Sequence, residues 1–176
     1  LNWNAPLSQF SNWPRIVQLA FIKYDLYGNE IDSGQYIIKP SGFSIPKESI
    51  EIHGISNQIA MSQGVPINDV LSEIYMHISD CRCVVAHNLN FDSKVLGSEF
   101  LRANMTNVVD SKERICTMEE TIDFCAIKNE YGNKWPKLTE LHMKLFNESF
   151  DDQHDAMSDI RATARCFWEL KKIGII

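Results

Sequence analysis

The sequence lacks several things, and each absence narrows the reading. No apolar run approaches the roughly 18–20 residues that a membrane-spanning helix needs, so a membrane protein is not expected. There is no internal repeat, low-complexity tract or collagen-like period. The five cysteines (Cys81, Cys83, Cys116, Cys125 and Cys166) are odd in number, and none forms a CxxC pair. A thiolate zinc site is therefore disfavoured. Buried, reduced thiols are the expectation, with Cys81 and Cys83 on one face of a strand, and they suggest a cytoplasmic protein. The opening stretch LNWNAPLSQF has no apolar core that would mark a secretory leader. Basic residues are scarce, 17 against 23 acidic, for a net charge of −6. General cationic attraction to phosphates is thus unlike this chain, though a local site is not excluded.

What is present is an ordinary globular balance, with 44% hydrophobic and 23% charged residues in 176. That length suits one domain with its own core. The first residue is Leu rather than Met, so the native start is expected upstream.

Residues 1–14 carry Pro6 and Pro14 among Asn and Ser and read as an irregular opening loop. RIVQLAFIKYD (15–25) reads as a strand and GQYIIKP (34–40) as its return, joined around Gly28-Asn29. This places Asp25, Glu30 and Asp32 in the hairpin turn. Pro46, Gly54, Gly64 and Pro66 argue for loops with short helical pieces over 41–66. An amphipathic helix should open at Asn68 or Asp69 and run through Asp80, with Val70, Ile74, Met76 or His77, and Ile78 inward. CRCVVAH (81–87) is a short apolar strand, followed by a helix over 88–104 capped by Asn88 or Asn90. A short strand is expected at 114–116 and helices at about 118–128, 137–146 and 154–172. His77 and His142 fall within helices and read as structural. Trp135, before Pro136, reads as a packing residue. Lys94, Arg102 and Lys112 are candidates for contacts to a phosphate backbone.

Two stretches concentrate chemistry. VVAHNLNFD (84–92) puts polar residues at the end of a strand and Asp92 in the first turn of the next helix, where α/β sheets place their sites. By itself it also fits an Asn88 cap with Asp92 complementing the helix dipole. DDQHDAMSDIRATARCFWEL (151–170) carries His154 and Asp159 at the head of a helix whose inner stripe should be Ala156, Ile160, Thr163, Phe167 and Leu170. A carboxylate beside that stripe is costly unless paired, hydrogen-bonded or bound to a metal. A solvated acidic loop is the plainer alternative.

Together, AHNxxFD followed by HDAxxD resembles the DEDDh-class 3′→5′ exonucleases, the DnaQ-like proteins of the DNA polymerase III epsilon-subunit type. RIVQLAFI, IPKESIEIHGIS (45–56) and KLTELHMKLF extend the resemblance over nearly the whole chain. It implies a ribonuclease H-like α/β fold over 1–176, a mixed central sheet with an antiparallel hairpin and flanking helices. It implies Asp92 and Asp159 as catalytic metal ligands and His154 as general base. His53, Gly54, Ile55, His87, Asn88 and Phe91 are implied as a substrate pocket. The family's first motif, an Asp-x-Glu on the first strand, has no match here, so that strand is expected upstream of Leu1.

The implied reaction is hydrolysis of terminal phosphodiester bonds of single-stranded DNA or RNA, with DNA the expected substrate of the two, releasing nucleoside 5′-monophosphates. Two Mg²⁺ or Mn²⁺ ions would stabilise the attacking and leaving oxygens. A histidine titrating near neutrality suits proton removal from water. A DNA polymerase is a partner the resemblance allows. The alternative is a catalytically inactive, exonuclease-like binding module lacking the first-motif carboxylates.

Overall fold

A computed structural model describes residues 1–150 and 155–176. It is a mixed α/β structure, with three two-stranded sheets among the described residues. The chain forms two compact units, each drawn from separate segments: Leu1–Ala20, Gly34–Val84 and Asn90–Glu113, then Phe21–Ser33, Val85–Leu89 and Arg114–Ile176.

The opening hairpin pairs β1 (Gln18–Tyr24) with β2 (Glu30–Ile37). Asp25 tightens its turn by accepting the backbone N–H groups of Tyr27 and Asn29, both at 2.9 Å, and the Asn29 amide at 2.8 Å. These bonds hold the Asp25 carboxyl below its ordinary range. The turn therefore closes by residue 29, and pairing resumes at Glu30 rather than Gly34. Glu30 and Asp32 accordingly lie in β2, not in the turn as expected.

The first unit carries α1 (Lys47–His53), α2 (Asn57–Gln63), α3 (Ile67–Asp80) and most of α4 (Leu89–Arg102), with Ile45, Ile55 and Ala60 forming an apolar cluster. Ser56 caps α2 by accepting the Ile59 N–H at 3.1 Å. Leaving α2, Gly64 lets Val65 form a parallel bridge with Ile38. Its contact is backbone against backbone: a Cβ there would lie 2.2 Å from the Ala60 carbonyl oxygen. Val70, Leu71, Ile74 and Ile78 are the buried residues of α3. Met76, expected near the inner face, is 68% exposed because it lies nearly opposite the face formed by Val70, Leu71, Ile74 and Ile78.

Glu99 on α4 is fully buried and gathers the opening segment. Its Oε1 accepts from Arg15 Nε at 2.8 Å and the Ile16 N–H at 3.2 Å, and it pairs with Arg102 at 3.0 Å. Arg102 in turn donates to the carbonyls of Phe10 and Trp13, both at 2.7 Å. Lys94 donates to the Trp3 carbonyl and lies over the rings of Trp3 and Trp13. Lys112 donates to Ser79 O at 2.8 Å. The three cations read as backbone-phosphate candidates are thus engaged by the fold.

Further along the chain, β4 (Glu113–Cys116) pairs with β3 (Cys83–Ala86). The helix expected at 118–128 is two short pieces, α5 (Thr117–Glu120) and α6 (Ile122–Cys125). Thr121 separates them, its hydroxyl donating to Thr117 O at 2.6 Å. Ala126 then takes a left-handed φ of 51°, ending α6. A hairpin absent from the sequence reading follows, β5 (Lys128–Asn129) antiparallel to β6 (Gly132–Asn133). Trp135 beyond it is 61% exposed, correcting its assignment as a packing residue; buried Pro136 does the packing.

The last two helices are α7 (Leu138–Phe146) and α8 (Ala156–Lys172). They enclose Cys125, Leu141, Cys166 and Leu170. The buried stripe of α8 is Ala162, Thr163, Cys166, Phe167 and Leu170; Ile160 and Ala156, about one and two turns before Thr163, are only half-buried. All five cysteines are free thiols, but Cys81 and Cys83 are half-exposed. Cys81 caps α3 instead of sharing a strand face, its thiol donating to Ile78 O.

Candidate active site

β3 reaches α4 through His87 and Asn88. Asn88 has a left-handed φ of 74°, a conformation Asn adopts more readily than most residues. It reverses the chain so that α4 starts directly off the strand. His87 fixes this corner within the second unit. Its Nε2 lies 3.0 Å from the Pro136 carbonyl, which can only accept, so the proton is on Nε2. Nδ1 then accepts from the Thr117 hydroxyl at 3.0 Å. Burial pushes its pKa down, in keeping with this neutral tautomer. Both ring nitrogens are committed to the fold, so a substrate contact from His87 would have to come from its ring face.

Asp92 sits in the first turn of α4. It retains contact with solvent, yet the protein packed around it leaves its carboxylate poorly hydrated. This desolvation pushes its pKa up to about 7. Beyond its own backbone N–H, no donor or cation among the described residues compensates the charge. Phe91 packs edge-on against Trp3 at 6.2 Å between ring centroids.

His53 ends α1. Its Nδ1 accepts the Ile55 N–H at 3.1 Å, which places the proton of the neutral ring on Nε2. Burial lowers the His53 pKa, and Nε2 is buried with no hydrogen-bond partner among the described residues. Gly54 closes α1 in a left-handed conformation, φ 74°. Ile55 turns its side chain into the cluster with Ile45 and Ala60. Of this tripeptide, His53 alone keeps an unused polar group, a buried N–H donor that a ligand oxygen would satisfy.

In the second unit, Asp155 caps α8 by accepting the Ser158 N–H at 3.1 Å. Asp159 follows one turn later, half-buried, its N–H bonded to Asp155 O at 3.0 Å. His154 lies outside the described residues. Past the end of α7, residue 148 is anchored: buried His142 donates through Nδ1 to Glu148 O at 3.0 Å and accepts from Arg165 at 3.2 Å. Arg165 also pairs with the Glu148 carboxylate and covers the Phe146 ring at 3.9 Å. His142 is therefore structural, as its helical position suggests. Sequence spacing does not show this anchor because it depends on contacts between α7 and α8.

Thus His53, Gly54, Ile55, Phe91 and Asp92 belong to the first unit, and His87, Asn88 and Asp159 to the second. Among the described residues, no three His, Cys, Asp or Glu side chains are grouped to hold a metal ion. The donor chemistry of Asp92 nevertheless fits one. A reachable, poorly hydrated carboxylate without a counter-charge suits a hard divalent cation.

The mixed α/β arrangement is that of a ribonuclease H-like exonuclease fold, as solved structures show. E. coli exonuclease I bound to zinc and single-stranded DNA superposes with a TM-score of 0.74 at 19% identity, over 90% of this chain and 37% of that one. Its complex with a dT13 oligonucleotide gives 0.77 at 21% identity, over 97% of this chain and 39% of that one. The chain thus spans less than half the length of these proteins. No curated protein matches the sequence significantly. Residues 8–167 match the RNase T exonuclease family, and the chain belongs to that family. Its members generally use divalent metal ions.

Proposed function

We propose that this domain is a 3′→5′ exonuclease that removes nucleoside 5′-monophosphates from single-stranded DNA. The observation carrying this reading is Asp92: an exposed carboxylate in the first turn of α4, inside AHNxxFD, with no cation paired to it among the described residues. The complexes of E. coli exonuclease I with single-stranded DNA support the choice of substrate.

Asp92 and Asp159 are the residues that would hold divalent ions, Mg²⁺ or Mn²⁺. Two such ions supply charge neutralisation on the phosphate and activation of the attacking water. His154 is proposed to accept that water's proton. The His53 Nε2–H is proposed to donate to an oxygen of the terminal nucleotide, satisfying its buried donor. Asn88 and Phe91 flank Asp92 in sequence and would border the same nucleotide. The free thiols fit a reducing, cytoplasmic setting.

The test is release of monophosphate from a 5′-labelled single strand by the intact chain with Mg²⁺ or Mn²⁺. EDTA should abolish it, and Asp159→Ala or His154→Ala should lower the rate at least about a hundredfold. Undiminished hydrolysis by these variants would overturn the assignment. Tight binding of the strand with no product release would instead identify a catalytically silent binding module.

A further inference from the structure

We infer that the β5–β6 hairpin and Trp135 form a stacking platform for single-stranded DNA, built from residues other than the carboxylates proposed to hold metal. The ligand class rests on the exonuclease reading; the platform itself rests on four features of the second unit.

The first is exposure. Tyr131 is 93% exposed and Trp135 61% exposed, although each is a large apolar ring. A single exposed ring is ordinary. Two such rings four residues apart, on a segment with little freedom, call for a partner.

The second is bracing. The ladder pairs Lys128 with Asn133 and Asn129 with Gly132. Within the loop, the Tyr131 N–H donates to Asn129 Oδ1 at 2.9 Å. Asn133 Nδ2 reaches Asp123 at 2.9 Å, and the Lys134 N–H reaches Ile127 O at 2.8 Å. Beside Trp135, Pro136 is buried and its carbonyl is held by His87 Nε2–H at 3.0 Å. The backbone bearing both rings is fixed before any ligand arrives, so little ordering entropy opposes stacking.

The third is charge. Residues 128–137 carry Lys128, Lys134 and Lys137 against Glu130, a local excess of positive charge in a chain of net charge −6. Lys134 is bound to Glu140 at 2.7 Å, while Lys128 and Lys137 form no salt bridge among the described residues. Lys137 also feels the Glu140 carboxylate, which leaves Lys128 as the lysine of this segment best placed to meet a phosphate.

The fourth is chemistry. Flat aromatic faces interleaved with ammonium groups match the alternation of base and phosphate along a single strand. In a duplex the bases are already stacked on one another and cannot offer their faces.

The experiment is fluorescence anisotropy of a labelled single-stranded oligonucleotide with the intact chain in EDTA, where metal-dependent hydrolysis is off. Tyr131→Ala and Trp135→Ala should each weaken binding about fivefold or more, and Trp135→Phe should retain most of the affinity. A blunt duplex of the same sequence should bind less tightly than the single strand. With Mn²⁺ present, the alanine variants should raise KM more than they lower kcat. Since both side chains are exposed, thermal melting of each variant should match the wild type, which separates lost binding from lost folding.

A double alanine variant that binds within twofold of the wild type would overturn the platform, as would a wild type that does not bind the strand in EDTA. The two readings fail separately. Hydrolysis with KM unchanged in the double variant removes the platform and leaves the exonuclease. Ring-dependent binding without hydrolysis removes the exonuclease and leaves the platform.

Discussion

Two side chains within six residues of each other carry opposite pH signatures. Burial lowers the His87 pKa, so the unfolded chain, near 6.5, takes up its proton first. The contribution of neutral His87 is fully present above that value and is lost as pH falls through it. His53 shifts in the same direction. With Asp92 changed to Asn, the urea midpoint should therefore drop between about pH 7 and pH 5, and drop less steeply when His87→Asn is added. Asp92 runs the other way. Its folded-state pKa of about 7 lies above the unfolded value, so its ionisation costs stability as pH rises from about 4 toward 7. In EDTA at pH 7.5, Asp92→Asn should melt higher than the wild type, while losing at least about a hundredfold in activity. Added Mn²⁺ should raise the melting temperature of the wild type and not of the variant. Both shifts would show in one set of melting curves.

The location of Asp92 was legible in sequence, because an apolar strand running into Asn88 and a helical pattern gives the corner away. The role of His87 was not, because its partners Thr117 and Pro136 are 30 and 49 residues distant. Trp135 was misjudged because the buried member of the Trp-Pro pair is the proline.

At the level of elements, long periodic segments were the readable ones. α3, α7 and α8 fall within two residues of their expected limits, since their apolar spacing repeats over at least two turns. The break between α5 and α6 escaped because it depends on one threonine hydroxyl turned onto the backbone. β5 and β6 escaped because strands of two residues have no alternation to read. α4 holds the clearest energetic test. Glu99 is buried against Arg15 and Arg102, so Glu99→Ala leaves two guanidinium groups without their shared acceptor. The loss should be about 3 kcal/mol, measured by urea denaturation, at the lower end for a broken buried pair because Arg15 retains some solvent. Gly64→Ala should also destabilise, by roughly 2–3 kcal/mol, because the added methyl meets backbone that cannot yield.

At the scale of the whole molecule, the acidic balance and the exonuclease family membership are compatible, provided that binding depends on few cationic contacts. Of the surface lysines considered above, Lys94, Lys112 and Lys134 are bonded within the fold. With two or three phosphates neutralised, the logarithm of single-strand affinity should fall against the logarithm of salt with a slope of about −2 or shallower. A steep slope would mean a broad basic track that this charge distribution does not provide. The order of the motifs was legible because it is a property of the chain. The division into two units was not, because each unit is assembled from segments far apart in sequence.

The Glu99 junction also sets how the first unit comes apart. Residues 1–16 contain no regular helix or strand, and their hold on α4 runs through a few side chains, chiefly those at one carboxylate. Such a stretch opens as one cooperative piece, well below the free energy of global unfolding. In native-state hydrogen exchange its protected amides should share a single opening free energy. That opening strips the cover from Glu99 before α4 itself frays, so the helix carrying Asp92 outlasts the segment wrapped around it.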